Sequence, residues 1–373
     1  MLNHKTLGII FANMHDAAVE NLTHMRSMAS LPFGGRYRMI DFYLSSLVDA
    51  GISQVGIVTK SNYQSLMDHI GSGRDWDLAR RGGISILPPY SYSNANGNAA
   101  YHGRIEALYN VLDYLKKAGS EYVVLMDADH VCSLDIAKLV DEHHESGADI
   151  TMLVRDPDGD AAGLANCVAV RADENDRAVE MLQNNCKYGF KLSMNVFVVS
   201  RTKLIDLIED ATSRMLSFFE RDVLQANLDR LHVRVSLHKG YVRRSTSLKS
   251  YYDSNLALIN PENIDALFGE RSILTKVHDS PPVRYGLECE VSGAIIADGC
   301  VIEGKVENCV LFRGVHVKPG AVVKNCILMQ DTVVGECAVL DSVITDKDVT
   351  VTPSTKLSGA ASYPLYIKKG SEV

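Results

Sequence analysis

Val315-His-Val-Lys-Pro-Gly320-Ala-Val-Val-Lys-Asn-Cys326-Ile-Leu-Met-Gln-Asp-Thr332-Val-Val-Gly-Glu-Cys-Ala338-Val-Leu340 carries a pattern with a period of six. Val315, Ala321, Ile327, Val333 and Val339, then Thr345 and Val351, are all small or aliphatic. The next place carries Val322, Leu328, Val334 and Leu340, and the place before carries Gly314, Gly320, Cys326, Thr332 and Ala338. Neither a helix nor an alternating strand has this period. Hexapeptide repeats build triangular coils of three short strands, with one side chain per strand inside the prism and small residues at the corners. A run of hairpins needs no such register, so the expected architecture is a left-handed parallel β-helix. Val291 to Cys309 is similar but shifted, which implies one irregular coil or an inserted corner.

Upstream, short β-branched runs alternate with longer amphipathic stretches, the pattern of an α/β domain with a mixed, mostly parallel sheet. Strands are predicted at Leu7 to Phe11, Gln54 to Thr59, Ile84 to Leu87, Tyr122 to Met126 and Asn195 to Val199. Helices are predicted at 38–50, stopped by Gly51, and at 62–70, 104–117, 202–208 and 215–228. The polar stretch from Tyr90 to Gly103 reads as a mobile loop at the cleft. Asp127 and Asp129 follow the Tyr122 strand, at the end where open α/β sheets bind ligands, which makes Asp129 a metal-ligand candidate. Asn260-Pro261 and Pro281-Pro282 mark a linker. The division is therefore 1–258 for a Rossmann-like α/β domain, 259–284 for the linker and 285–373 for the β-helix.

The chain of 373 residues, 46% hydrophobic and 23% charged, is long enough for two full cores. A net charge of −8 argues against nucleic acid as a partner. No apolar stretch reaches the length of a membrane span and the N-terminus lacks a signal-peptide pattern, so no membrane role and a cytoplasmic location are expected. The eight Cys form no C-x-x-C pair, and the five in the repeat region read as small apolar fillers. The twelve His are scattered, and His143 with His144 read as a helix surface.

Pro32-Phe-Gly-Gly-Arg36-Tyr-Arg38-Met-Ile-Asp41-Phe42, then Ser65-Leu-x-x-His69-Ile70, Trp76, Asp129-His130 and the hexapeptide tail resemble bacterial glucose-1-phosphate adenylyltransferase (ADP-glucose pyrophosphorylase) over nearly the whole chain. The resemblance implies the α/β nucleotidyltransferase fold and a Mg²⁺-assisted attack of glucose 1-phosphate on ATP. That chemistry needs backbone N–H groups close to the phosphates, a cation, and carboxylates for the metal.

This sequence departs from the family at each of these parts. The Gly-rich loop A-G-G-x-G-T-R-L is matched by Ala12-Asn-Met-His15-Asp16-Ala-Ala18-Val19, without a glycine and with Ala18 at the catalytic Arg position. Asp16 is expected to set a carboxylate beside the phosphates. The family's late metal-binding Asp aligns with Arg244 of Arg244-Ser-Thr-Ser-Leu-Lys-Ser250-Tyr-Tyr252, so Asp129 is read as vestigial, and Arg244 is expected to pair with it and seal the metal site. The sugar-phosphate Lys of E-K-P falls at Asn184, and G-T-A-D-A appears as Gly103-Arg104-Ile-Glu-Ala107. Asp16, Ala18, Asp129, Asn184 and Arg244 are thus degenerate positions, and no catalytic set is intact.

The pattern resembles the GlgD-type class of the family, whose members accompany a catalytic GlgC-type subunit in a mixed tetramer. It implies a regulatory subunit with no cofactor of its own, Mg²⁺ being held by the catalytic partner. The activator-linked Lys of R-A-K-P is Met28, while Arg26 remains. Arg26, Arg36, Arg38 and Arg243 are candidate contacts for a phosphorylated effector, since guanidinium forks suit phosphate oxygens. Arg80, Arg81 and Arg244 belong to the same cationic set. Three readings stand at this stage: an assembly partner, in hetero- or homo-oligomers; an active nucleotidyltransferase with a rearranged site; and a stand-alone sensor of sugar phosphate or nucleotide.

Overall fold

The computed structural model describes residues 4–80, 82–88, 101–157 and 166–373. Arg81 and nearly all of the loop expected between Tyr90 and Gly103 lie outside the described residues. The apolar run Thr6–Phe11 is the central strand, paired in parallel with Gln54–Val58 on one side and Tyr122–Asp127 on the other. Such runs are buried on both faces. Ile10, Val124 and Met126 face a layer with Phe42, Tyr43 and Leu47 of helix Met39–Asp49, while Leu7, Ile9, Val123 and Leu125 face Ile105, Leu108, Leu204 and Ile208. Lys191–Ser200 runs antiparallel to Tyr122–Asp127 and also pairs with Ile150–Arg155, which has Val233–Leu237 as its parallel neighbour.

Local chemistry reshaped several predicted elements. The 104–117 helix is two pieces, Arg104–Asn110 and Leu112–Lys117, meeting at Val111. The 215–228 helix is instead a π-helical turn, Phe219–Leu224, and a short tight turn, Gln225–Asn227. There the Asp222 carboxylate accepts from the Ser217 and Phe218 amides, a side-chain bond that competes with regular helix. The expected linker holds helix Pro261–Phe268, capped by Asn260, with Leu267 buried in the α/β core. His143 is not on a surface: it is buried and bonded to Thr151 Oγ1 at 2.9 Å, and burial lowers its pKa to about 4.

The repeat region is a parallel β-helix of three strand stacks. One stack contains Val301–Ile302, His316–Val317, Val333–Val334 and Thr350–Val351. The second contains Val322–Lys324, Val339–Asp341 and Lys356–Ser358, and the third Ile327–Leu328, Val343–Thr345 and Leu365–Ile367. Lys305–Leu311 spans the second and third.

The coil does not keep the strict period of six. Val322 pairs with Val339 and Ile327 with Ile344, so a turn advances 17 residues and one corner per turn is a residue short. The inward line is Val317, Val323, Leu328, Val334, Leu340, Thr345 and Val351, all buried. Cys326, Thr332 and Ala338, read as corners, are buried inside the prism instead. The true corners are left-handed residues at Gly320, Cys337 and Ser354, at Asn308, Asn325 and Ser342, and at Gly314, Asp331 and Asp348. Asn308, Asn325 and Asp341 link along one edge by side-chain hydrogen bonds of 2.7 and 2.9 Å. The irregular coil is the one from Val301 to His316, which advances only 15 residues. Of the five Cys in this region, Cys300, Cys309 and Cys326 fill the prism, Cys289 is half-buried, and Cys337 is exposed at a corner.

Along the third stack, alternate side chains leave the prism. Cys309, Leu311, Leu328 and Val343 point in, while Val310, Phe312, Ile327, Met329 and Ile344 join the hydrophobic core of the α/β domain. Arg26 and Asp346, both buried, close this contact with a 2.5 Å ion pair, and the Tyr252 hydroxyl donates to the Asn325 carbonyl.

Candidate functional site

Tyr122–Asp127 delivers Asp127 and Asp129 to the carboxyl end of the sheet, both fully buried. Burial of a carboxylate demands compensation. For Asp127 it comes from Arg104, the first residue of helix Arg104–Asn110, whose Nη2 donates to Oδ2 at 2.6 Å. Arg104 also pairs with Glu220, and its guanidinium lies 5.2 Å from the ring centroids of both Phe11 and Phe197. Gly103 allows this docking, because a Cβ there would sit 2.0 Å from the Ser217 carbonyl. Burial opposes the Arg104 charge, but Asp127 and Glu220 outweigh it and its pKa rises.

For Asp129 the cation is Arg244, whose Nε donates to Oδ2 at 2.8 Å while Nη2 donates to the Asn166 carbonyl at 3.0 Å. Arg244 arrives on Val242–Arg244, a short strand antiparallel to His130–Cys132, and the Ser245 amide donates to the Asp129 carbonyl. His130 Nδ1 holds the other carboxylate oxygen at 2.6 Å. Burial alone would raise the Asp129 pKa, but His130, His15 and Arg244 together hold it well below the usual carboxylate range.

His15, in the loop after the first strand, joins the two acids: its Nε2 lies 2.7 Å from Asp127 Oδ2 and 3.5 Å from Asp129 Oδ2. Burial pulls its pKa down, yet Asp129 and Asp127 prevail and raise it, favouring imidazolium. Asn195 completes the cluster, with Nδ2 3.3 Å from Asp129 Oδ2. It sits with φ +56° in a bulge of Lys191–Ser200, a device that re-aims a side chain toward a site.

These residues do not fit a divalent cation. Mg²⁺ needs carboxylate oxygens free to face it. Both Asp129 oxygens and Asp127 Oδ2 are engaged by nitrogen donors, and two guanidiniums stand beside them.

The predicted positions do not all converge here. Asp16 turns inward, accepting from Asn13 Nδ2 at 2.6 Å and the Met28 amide at 2.7 Å, so it organises the loop instead of facing the cleft; burial pushes its pKa up to about 6. Ala18 lies in the short helix Asp16–Val19. Asn184 is on an exposed turn, its amide bonded to the Cys167 carbonyl. His15, Arg104, Asn195 and Glu220 were not singled out from sequence. The signal for Arg104 was its place after Gly103 at a helix start, where the family motif has a threonine.

A second site lies between the α/β domain and the β-helix. Arg36, Arg38, His69, His278, Arg313 and Lys347 line one cavity. Arg36 and Arg38 come from the turn before helix Met39–Asp49, which Asp41 anchors by accepting from the Arg38 amide, His69 and Thr275. Arg38 is largely spent on the Ser65 carbonyl and hydroxyl, and burial lowers its pKa to about 10. Burial, with Arg38 and Arg26 nearby, lowers the Lys347 pKa to about 7. Arg26 is not on the cavity wall but beneath it, paired with Asp346. Arg243 lies apart, over the Tyr241 ring, and exposed Arg80 pairs with Asp77.

Residues 19–182 match the nucleotidyl transferase family model, and residues 283–360 match the GlmU-like C-terminal hexapeptide model. The chain is 33% identical over 373 residues to the glycogen biosynthesis protein GlgD of Bacillus subtilis, covering 99% of this chain and 97% of that one. The GlgD protein of Geobacillus stearothermophilus is 35% identical over 372 residues, with 99% and 98% covered. Glucose-1-phosphate adenylyltransferase of the same organism is 32% identical over 334 residues, covering 87% and 84%.

Proposed function

This chain belongs to the bacterial glucose-1-phosphate adenylyltransferase and GlgD family of glycogen-biosynthesis proteins, and from that premise we propose that it is a catalytically silent regulatory subunit which acts by assembling with a catalytic homologue. The observation that carries the reading is the pairing of both strand-end aspartates with arginines, Asp127 with Arg104 and Asp129 with Arg244. Phosphoryl-type chemistry at this end of the sheet depends on carboxylates that hold a cation. Here the positive charge is covalently part of the chain and cannot leave, and its donors are turned to Asp127, Glu220, Asp129 and the Asn166 carbonyl.

Assembly uses the β-helix and neighbouring surfaces, with the GlgC-type subunit supplying the Mg²⁺ site. The cavity of Arg36, Arg313 and Lys347 suits a phosphorylated effector, which regulates the assembly from the junction of the two parts.

The test is ADP-glucose formation from ATP, Mg²⁺ and glucose 1-phosphate by the purified chain alone and after co-purification with a catalytic homologue. The expected result is no turnover alone and a changed kcat or KM of the partner in the complex. Turnover by the chain alone overturns the proposal in favour of a rearranged active site. Failure to co-purify, with phosphate or nucleotide bound by the single chain, favours a stand-alone sensor.

A further inference from the structure

At the end of the sheet opposite the filled cleft, the parallel pairing of Thr6 with Tyr122 brings the residues before both strands together. His4 precedes one strand, Glu121 precedes the other, and His144 stands in the last turn of helix Ile136–Ser146. One donor atom from each of His4, Glu121 and His144 lies within 4.8 Å of the others. We propose that these three residues form a transition-metal site, with Zn²⁺ the best-fitting ion, that clamps the start of the chain to the sheet. Nothing in the nucleotidyltransferase reading requires such a site, and the proposal is independent of it.

The donor set selects the ion. Two imidazoles and one carboxylate suit Zn²⁺ and its neighbours, whereas Mg²⁺ and Ca²⁺ take oxygen ligands. Spacing agrees: Zn–N and Zn–O bonds of ~2.0–2.2 Å in a tetrahedron set neighbouring ligands ~3.3–3.5 Å apart. His4 Nδ1 and Glu121 Oε2 are already 3.3 Å apart. The third donor, from His144, lies within 4.8 Å of the other two, so closing the set to tetrahedral spacing takes a side-chain movement on the order of 1 Å. Three protein ligands leave the fourth position to water.

Much of the framework is fixed without the ion. The Glu121 amide donates to the Lys5 carbonyl at 2.7 Å, and its own carbonyl accepts from the Arg201 amide at 2.8 Å. The Tyr122 hydroxyl holds His144 Nδ1 at 2.8 Å, an outer bond of the kind that orients metal-bound imidazoles. Among the described residues Glu121 pairs with His4, itself a member of the set, and no lysine or arginine is paired with it in competition.

The experiment uses the full chain without a histidine tag, stripped with a chelator, and titrated with zinc chloride by calorimetry and by thermal melting, with magnesium chloride as control. One zinc bound per chain, a raised melting temperature with zinc but not magnesium, and at least a roughly tenfold weaker affinity in both His144→Ala and Glu121→Gln support the site. Both substitutions are at exposed side chains, and the metal-free melting temperature of each variant reports that it is folded. Absence of saturable zinc binding, or zinc binding of equal affinity and stoichiometry in the folded variants, overturns it.

Discussion

Replacing Arg244 by alanine tests the central element of the proposed silent cleft, because it removes the cation from Asp129 without touching the sheet. Asp129 is fully buried and the Arg244 side chain is 6% exposed, so the 2.8 Å contact is little screened by solvent. Breaking a buried pair by removing one partner costs about 3–5 kcal/mol. His130 at 2.6 Å and His15 at 3.5 Å still face the carboxylate, which puts the expectation at the low end, about 3 kcal/mol. Unfolding entropy near 2.1 cal/mol/K per residue over roughly 250 cooperative residues gives about 0.5 kcal/mol/K, and hence a fall of about 6 °C in melting temperature.

The deficit has a pH signature. The folded Asp129 pKa is depressed, so its stabilising effect is present above the unfolded value, about 3.9, and is lost as pH falls through the folded value. The gap between wild type and Arg244→Ala is therefore widest near neutrality and narrows in acid. Adding Asp129→Asn removes the stranded charge, and the double variant recovers about 2 kcal/mol relative to additivity. Urea unfolding followed by circular dichroism measures wild type, both single variants and the double variant. A loss below about 0.5 kcal/mol for Arg244→Ala, or strict additivity in the double variant, refutes the claim that this pair holds the cleft closed.

Arg104→Met removes the guanidinium shared by Asp127 and Glu220, leaves Asp127 with His15 alone, and lowers stability by about 3 kcal/mol in urea unfolding; a loss under about 1 kcal/mol contradicts its role. The unfolded chain holds a proton on Lys347 between pH 7 and its ordinary value that the folded chain has released, so stability rises with pH across that window, and Lys347→Met flattens the slope. Arg26, Arg38 and Lys369 push this ammonium toward neutrality, while Asp346 opposes them. Binding of sulfate, whose charge is constant across this range, followed by calorimetry, accordingly weakens as pH rises through 7, and Lys347→Met reduces that dependence. Met329→Ala hollows the contact between β-helix and α/β domain, costing about 2–5 kcal/mol, with limited proteolysis reporting cleavage between the two parts.

The sequence carried most of the architecture because periodicity is a local property. The strand ends at Asp127 and the repeating small residues from Gly314 onward are visible within windows of a few residues. A strict period of six failed because the regular turns take 17 residues and one takes 15, and Ile327 faces the domain interface. The charged partners were less legible. Arg26 resembles a free cation in its local segment, yet its partner, Asp346, lies 320 residues away. Arg104 reads as a solvated helix residue unless the aromatic walls from Phe11, Phe197 and Phe219 are known in advance. Asp16 misled in the opposite direction: its carboxylate folds onto the Met28 amide in its own loop, a bond that no spacing rule announces.

Loss of the Gly-rich loop alone would leave two buried aspartates without compensation. The observed arrangement is different in kind, because every charge at the strand ends has a partner supplied by another element. His15 comes from the loop after the first strand, Arg104 from a helix start, Asn195 from a bulge and Arg244 from a late ribbon, and all meet Asp127 or Asp129. A metal centre ties such elements together only while the ion is bound. Ion pairs within the chain do so at all times and at fixed stoichiometry. The cluster thus serves as a permanent cross-link of this end of the sheet, as the proposed silent subunit requires. It follows that single reversions toward the enzyme, such as Arg244→Asp, place a third carboxylate beside two buried ones and destabilise the fold before they create a metal site. Expression of soluble, metal-binding protein from that single substitution would show that the cross-link is dispensable.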